Sequence, residues 1–86
     1  MKVTIASPQK LLFDAEAQEA ILPGEDGEFS VMDFHQPCLY SLRQGQVRLL
    51  FRDKKAQRQR FYINSGIALI ESGKLQLIVE EHGANA

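Results

Sequence analysis

The stretch Ala20-Ile21-Leu22-Pro23-Gly24-Glu25-Asp26-Gly27-Glu28-Phe29-Ser30-Val31-Met32 sets two apolar segments on either side of a turn rich in proline, glycine and acid. Pro23 restricts its own φ and has no N–H to donate, while Gly24 and Gly27 tolerate positive φ. The chain therefore reverses sharply between two strands, and Asp-Gly is a common hairpin signal. The tip gathers Glu25, Asp26 and Glu28, so a tight connection displays concentrated negative charge. The residues alone leave two readings of this tip open: a solvated hairpin loop, or a contact site carried on a specialised backbone.

Outward from the hairpin, the dominant period is two. Val3 and Ile5, then Val47, Leu49 and Phe51, then Phe61 and Ile63, then Leu75, Leu77 and Val79 each alternate with outward positions. Each run reads as a half-buried strand with its apolar side inward. Ile67-Ala68-Leu69-Ile70 is apolar throughout and predicts a central or doubly covered strand. Turn signals separate the runs at Ser7-Pro8, Pro23-Gly24, Gly45, Asp53-Lys54-Lys55, Ser65-Gly66 and Glu71-Ser72-Gly73-Lys74. Short strands at this spacing predict an all-β sandwich or barrel rather than an α/β fold. Asp14 to Ala20 holds good helix formers but lacks an apolar helical face, so a short helix and an edge strand both stay open there.

At 86 residues the chain is one domain; residues 1–82 read as a β-sandwich and 83–86 as a frayed tail. An apolar fraction of 44% supports a real core, and a net charge of −1 argues against a generic polyanion binder. The charges segregate along the chain. Asp14, Glu16, Glu19, Glu25, Asp26, Glu28 and Asp33 form an acidic block, and Arg43, Arg48, Arg52, Lys54, Lys55, Arg58 and Arg60 a basic one broken only by Asp53. That asymmetry predicts a molecule with two unlike faces. Cys38 is the single cysteine, which excludes an internal disulfide and fits a reducing compartment. Lys2, Thr4, Ser7 and Gln9 interrupt any signal-peptide core, and no apolar run nears the ~20 residues that span a bilayer. The expectation is a soluble domain that meets a membrane only through a partner.

Reactive chemistry is sparse. There is no phosphate-binding glycine loop and no nucleophile elbow. The richest constellation is Glu25, Asp26, Glu28, Asp33, His35 and Cys38. A soft metal needs more soft ligands than His35 and Cys38, and the alternate oxygens of a calcium loop are missing. Acids on an exposed loop seldom have the displaced pKa of a catalytic pair. No catalytic residue, metal or cofactor is expected. His35 before Gln36-Pro37 either anchors an interface or holds the backbone of its own turn. Cys38 reads as a small apolar side chain. The basic stretch Arg48 to Arg60 interleaves with Phe51, Phe61 and Tyr62, a composition that binds single-stranded nucleic acid. Parity, however, puts Phe51 and Phe61 inside and leaves only Tyr62 beside the arginines, so a solvated basic hairpin is the reading and no nucleic acid is expected. A stand-alone binding module for protein or single strands, using the acidic tip or Tyr62 with Arg48 and Arg60, is the alternative function.

Taken in order, Ser7-Pro8, Phe13, Leu22 to Glu28, Val31, His35-Gln36-Pro37, Leu42, Gly45, Ser65 to Glu71 and Lys74 to Val79 resemble the N-terminal β-sandwich domain of the epsilon subunit of F-type ATP synthases, from about Val3 to Glu80. The resemblance implies a flattened sandwich of two antiparallel sheets. It also implies a non-catalytic place in the central stalk, bound to the gamma subunit and resting on the ring of membrane c subunits of a proton- or sodium-translocating synthase. The location implied is the cytoplasmic face of a bacterial inner (plasma) membrane, as a peripheral part of the complex. In that family the acidic turn meets polar loops of the ring, which points to Glu28 first, with Glu25, Asp26 and His35 nearby. Two departures stand out. Asp33-Phe34 replaces the usual glycine or asparagine before the histidine, leaving Phe34 either buried or adding an apolar contact. The C-terminal helices through which most members inhibit ATP hydrolysis, and some bind ATP, have no counterpart before Ala86, so neither property is expected of this chain.

Overall fold

Alternating apolar residues need two layers to hide between, and eight strands supply them: β1 (Lys2–Ala6), β2 (Leu11–Glu16), β3 (Glu19–Gly24), β4 (Gly27–Met32), β5 (Cys38–Leu42), β6 (Gly45–Leu50), β7 (Gln59–Glu71) and β8 (Lys74–Glu81). The structure is a computed structural model and describes residues 1–33, 36–52 and 59–83, among which there is no α-helix. The segment Asp14 to Ala20 resolves toward strand, ending edge strand β2 and beginning β3.

Hydrogen bonding is continuous in the order β2-β1-β8-β7-β5-β3-β4, with β6 joining β3 to β7. β7 is what makes two layers of it. Its first half pairs with β6, from Gln59 to Ile63, and its second half pairs with β5 and β8. Layer I is therefore β2-β1-β8-β7-β5, and layer II is β4-β3-β6-β7. The all-β sandwich expected from the sequence is present, with one pairing of a different kind: β1 lies parallel to β8, Val3 beside Leu75 and Ile5 beside Leu77. Ser65-Gly66, a turn signal by composition, lies inside β7. The ladder to β8 shifts register between Ile63 and Ser65, where β7 passes from one layer to the other.

The inner faces meet in one core. Val3, Ile5, Ala20, Leu22, Val31, Val47, Leu49, Ile63, Ile70, Leu75, Leu77 and Val79 are all buried within it, each large aliphatic stabilising the fold by about 1.5–3 kcal/mol over exposure. At one mouth of the sandwich Phe13 bridges the layers, its ring centroid 6.1 Å from Phe51 and 6.0 Å from Phe61. These separations suit tilted and edge-on aromatic packing.

Candidate functional site: an acidic tip and two outer faces

The hairpin tip is a built feature. β3 and β4 stay paired to Gly24 and Gly27, so Glu25 and Asp26 alone make the connection. Gly27 has φ +134°, outside the range of ordinary side chains. Gly24 is required for space: a Cβ there would stand 2.8 Å from the Gly27 carbonyl and from the Phe29 ring. The far side of the tip is pinned to the β5–β6 connection. The Arg43 amide donates to the Pro23 carbonyl at 2.9 Å, and the Glu25 amide donates to the Ser41 carbonyl at 3.1 Å. Gly45 lets that connection lie directly on the Pro23 ring.

On this frame the carboxylates differ. Glu25 and Asp26 are exposed, and neither makes an ion pair among the described residues. Glu28 is held: Arg48 Nη2 donates to its Oε1 at 2.7 Å across the outer face of layer II. Beside the tip, Phe29 and Tyr40 pack with centroids 4.5 Å apart, in the wall of a groove of about 440 Å³ that Glu25, Asp26 and Glu28 also line. A hydrogen bond to the Cys38 sulfur, reinforced by the negative charge that sulfur carries once ionised, holds the Tyr40 phenol above its ordinary pKa. Cys38 is half-buried and packs against the core. The structure thus brings three of the four expected ring-contact residues to one tip. His35, the fourth, and Phe34 lie outside the described residues.

Layer I presents an apolar outer face. Leu39 stands directly opposite Leu69, and Ile67 opposite Ile78; their exposures are 66%, 37%, 48% and 62%. Ala6 on β1 extends the row beyond Ile78. Ile67 to Ile70 is therefore central in its layer but covered on one side only, since Ala68 and Ile70 are buried and Ile67 and Leu69 are not. That corrects the expectation of a doubly covered strand: the apolar run marks a face with no second layer over it. A contiguous exposed apolar patch on a small domain is the signature of an interaction surface.

Layer II presents charge. Glu19 and Glu28 come from the acidic block, Arg48 and Arg60 from the basic one, with Arg48 directly opposite Arg60 and Gln46 opposite Tyr62. Ser30 Oγ donates to the Glu19 carboxylate. Among the described residues the sequence asymmetry does not make an acidic face and a basic face, because β3-β4 and β6-β7 share this layer and interleave their charges; Lys54, Lys55 and Arg58 lie outside the described residues. The two faces differ in their centres, where layer I carries the exposed aliphatic patch and layer II the Glu28–Arg48 pair beside Arg60.

A third feature had no signal in the sequence. The α-ammonium of Met1 is partly buried, donates to the Ala17 carbonyl at 2.9 Å, and pairs with Asp33 at 2.9 Å and Glu16 at 3.4 Å. It ties the edge of layer I to the end of β4 in layer II. Burial acts to lower its pKa, but the hydrogen bonds and charges of Asp33 and Glu16 outweigh that and hold it above the ordinary value. Among the described residues no three His, Cys, Asp or Glu side chains gather as a metal site.

Comparisons with known proteins agree with this geometry. Residues 1–83 match the family model described as the ATP synthase delta/epsilon chain β-sandwich domain. The chain is 39% identical over 80 residues to the ATP synthase epsilon chain of Chlorobium limicola, covering 93% of this chain and 89% of that one. Against the epsilon chain of Chlorobaculum tepidum it is 38% identical, covering 90% and 85%. With that of Hyphomonas neptunium identity is 36%, but the match spans only 56% of that longer chain. Among solved structures, the fold is shared with a chain of the Tetrahymena thermophila mitochondrial ATP synthase central stalk and c-ring, at TM-score 0.77 and 15% identity, covering 93% of this chain and 63% of that one. A chain of the Euglena gracilis mitochondrial ATP synthase superposes at TM-score 0.82 and 16% identity, covering 92% and 49%. With the family model matched over residues 1–83 and a relative 39% identical over nearly its whole length, the chain belongs to the ATP synthase delta/epsilon family through its β-sandwich domain.

Proposed function

We propose that this chain is a non-catalytic rotor subunit of the central stalk, locking the gamma shaft to the membrane c-ring of a proton- or sodium-translocating ATP synthase at the cytoplasmic face of the membrane. The observation that carries the reading is the uncovered apolar face of layer I, with Leu39, Ile67, Leu69 and Ile78 in two facing pairs. It suits a permanent protein partner, and gamma is assigned to it. The acidic tip, pinned at Pro23 and Glu25, is assigned to the ring through Glu28 and Asp26, while Glu25 borders the groove of layer I. A standard interface removes about 800 Å² from each partner, a modest share of the 5705 Å² this domain exposes, so one layer can take gamma while the tip remains available.

The mechanism is mechanical. Torque passes through a body only if that body does not shear, and here β7 runs through both layers, so their relative position is fixed by one continuous strand. The chemistry of ATP synthesis lies in other subunits. Calorimetry with the gamma subunit from the same source tests the reading. Tight one-to-one association is expected; a folded chain that gives no binding heat overturns it.

A further inference from the structure

Where the apolar face runs out toward Ser65 and Glu80, a groove of about 830 Å³ opens, with Pro8 and Gln9 on one side and Ser41 on the other. Ile67 and Ile78 line it and face each other across the β7–β8 ladder. Three carboxylates stand around these two side chains: Glu25 from the tip, and Glu80 and Glu81 from β8. Among the described residues no lysine or arginine lines the groove. The ion pair that these carboxylates make among the described residues is with Lys10, whose Nζ lies 3.8 Å from Glu81 Oε2, and Glu80 is within 3.5 Å of the Ser65 hydroxyl. One lysine against three carboxylates leaves the rim negative.

The other end of the same face is nearer to balance, with two lysines against three carboxylates. Lys2 and Lys74 lie side by side across the β1–β8 pairing. Lys2 Nζ is 3.4 Å from Asp14 and stands opposite Glu16, while Lys74 stands opposite Glu71. Among the described residues the excess of negative charge on this face is therefore larger at the groove end.

We infer that the occupant of this face is a protein segment whose apolar row ends in lysine or arginine, and that this basic end seats in the groove of Glu25, Glu80 and Glu81. The inference rests on the gamma contact proposed above and adds to it the chemistry of the contact and its direction. Apolar burial is non-directional, so Leu39, Leu69, Ile67 and Ile78 alone would accept a partner either way round. Charge at one end removes that freedom and speeds encounter. An uncharged partner would strip water from three carboxylates without replacing it, and an anionic lipid surface would be repelled.

The test uses the intact chain and the gamma subunit, with association rates measured at low and high salt. Glu25→Gln, Glu80→Gln and Glu81→Gln are combined in one variant, and Glu16→Gln with Glu71→Gln in a control at the opposite end of the face. The groove variant should associate roughly three- to tenfold more slowly at low salt and show a flatter salt dependence, while the control changes neither. Glu80→Lys alone, an exposed position that leaves the core untouched, should slow association in the same sense. A wild-type chain that binds gamma, with a groove variant of unchanged rate and salt slope, overturns the inference and leaves the stalk reading standing. A folded wild-type chain that does not bind gamma overturns both.

Discussion

The outer face of β1, β5, β8 and the second half of β7 and the outer face of β3, β4, β6 and the first half of β7 follow the same period of two. One carries Leu39, Ile67, Leu69 and Ile78; the other carries Glu19, Glu28, Arg48 and Arg60. The contrast falls within a single strand, since β7 turns Arg60 and Tyr62 outward in one layer and Ile67 and Leu69 outward in the next. Folding constrains only the inner half of an alternating strand. The outer half answers to whatever meets it, and for layer II water suffices, with pairs such as Arg48–Glu28 formed locally. For layer I water is a poor partner, and the apolar residues persist there on both sides of the β7–β8 ladder.

The largest test of that contrast is Ile67→Asp against Arg60→Asp. Ile67→Asp should weaken gamma binding about 100-fold, near 3 kcal/mol, as expected of a central interface residue. Arg60→Asp should leave affinity within about twofold, a rim-like effect. Equal losses, measured by calorimetry on folded variants, would erase the distinction between the faces. Gly66→Ala probes the point where β7 changes layer: a Cβ there would lie 2.9 Å from the Ile78 carbonyl and 3.0 Å from Val79 Cγ1. Overpacking against backbone should cost about 1–3 kcal/mol in a denaturant titration. At the tip, Asp26→Ala with Glu28→Ala should leave the melting temperature nearly unchanged, since exposed ion pairs contribute about 0–1 kcal/mol, yet weaken docking on the c-ring. Unchanged ring affinity would remove the tip from the contact.

The smallest expected effect concerns what holds the two layers together at their open edge. The Met1 α-amine has a raised pKa in the folded chain, relative to an ordinary value of 8.0. Its contribution to stability is therefore complete below pH 8 and is lost as pH rises through the folded value. Thermal melts across that alkaline range should show a decline that a chain acetylated at Met1 does not show. Parallel declines would mean that the Met1–Asp33 and Met1–Glu16 pairs contribute nothing.

Much of the inner architecture was legible because it is local. Val3, Ile5, Val47, Leu49, Leu75, Leu77 and Val79 point inward as their alternation predicts, and the acidic turn closes where glycine permits. The misreadings have physical causes. Ser65-Gly66 looked like a turn, but Gly66 is there because neighbouring backbone comes too close for a side chain. Ile67 to Ile70 is central, as one of its two readings had it, but not doubly covered, because an apolar run does not say whether the cover belongs to this chain. The Arg48–Glu28 and Met1–Asp33 pairs join residues distant in sequence, and composition holds no trace of them. Segregated charge along the chain was a poor guide to segregated charge in space, since hairpins from both blocks were laid side by side in layer II.

The parallel pairing of β1 with β8 bears on how the chain comes to be folded at all. Lys2 to Ala6 must wait for Lys74 to Ile78, so the first strand of this domain finds its neighbour on one side only once the eighth has been made. Until then β1 and β2 form a hairpin with an unpaired inner edge, the kind of edge that recruits foreign strands. Closing the sandwich is consequently a whole-chain event dominated by a non-local contact, the slow kind. A ribosome-bound nascent chain that stops short of β8 would leave that edge open, however well the β3–β4 hairpin behind it had formed.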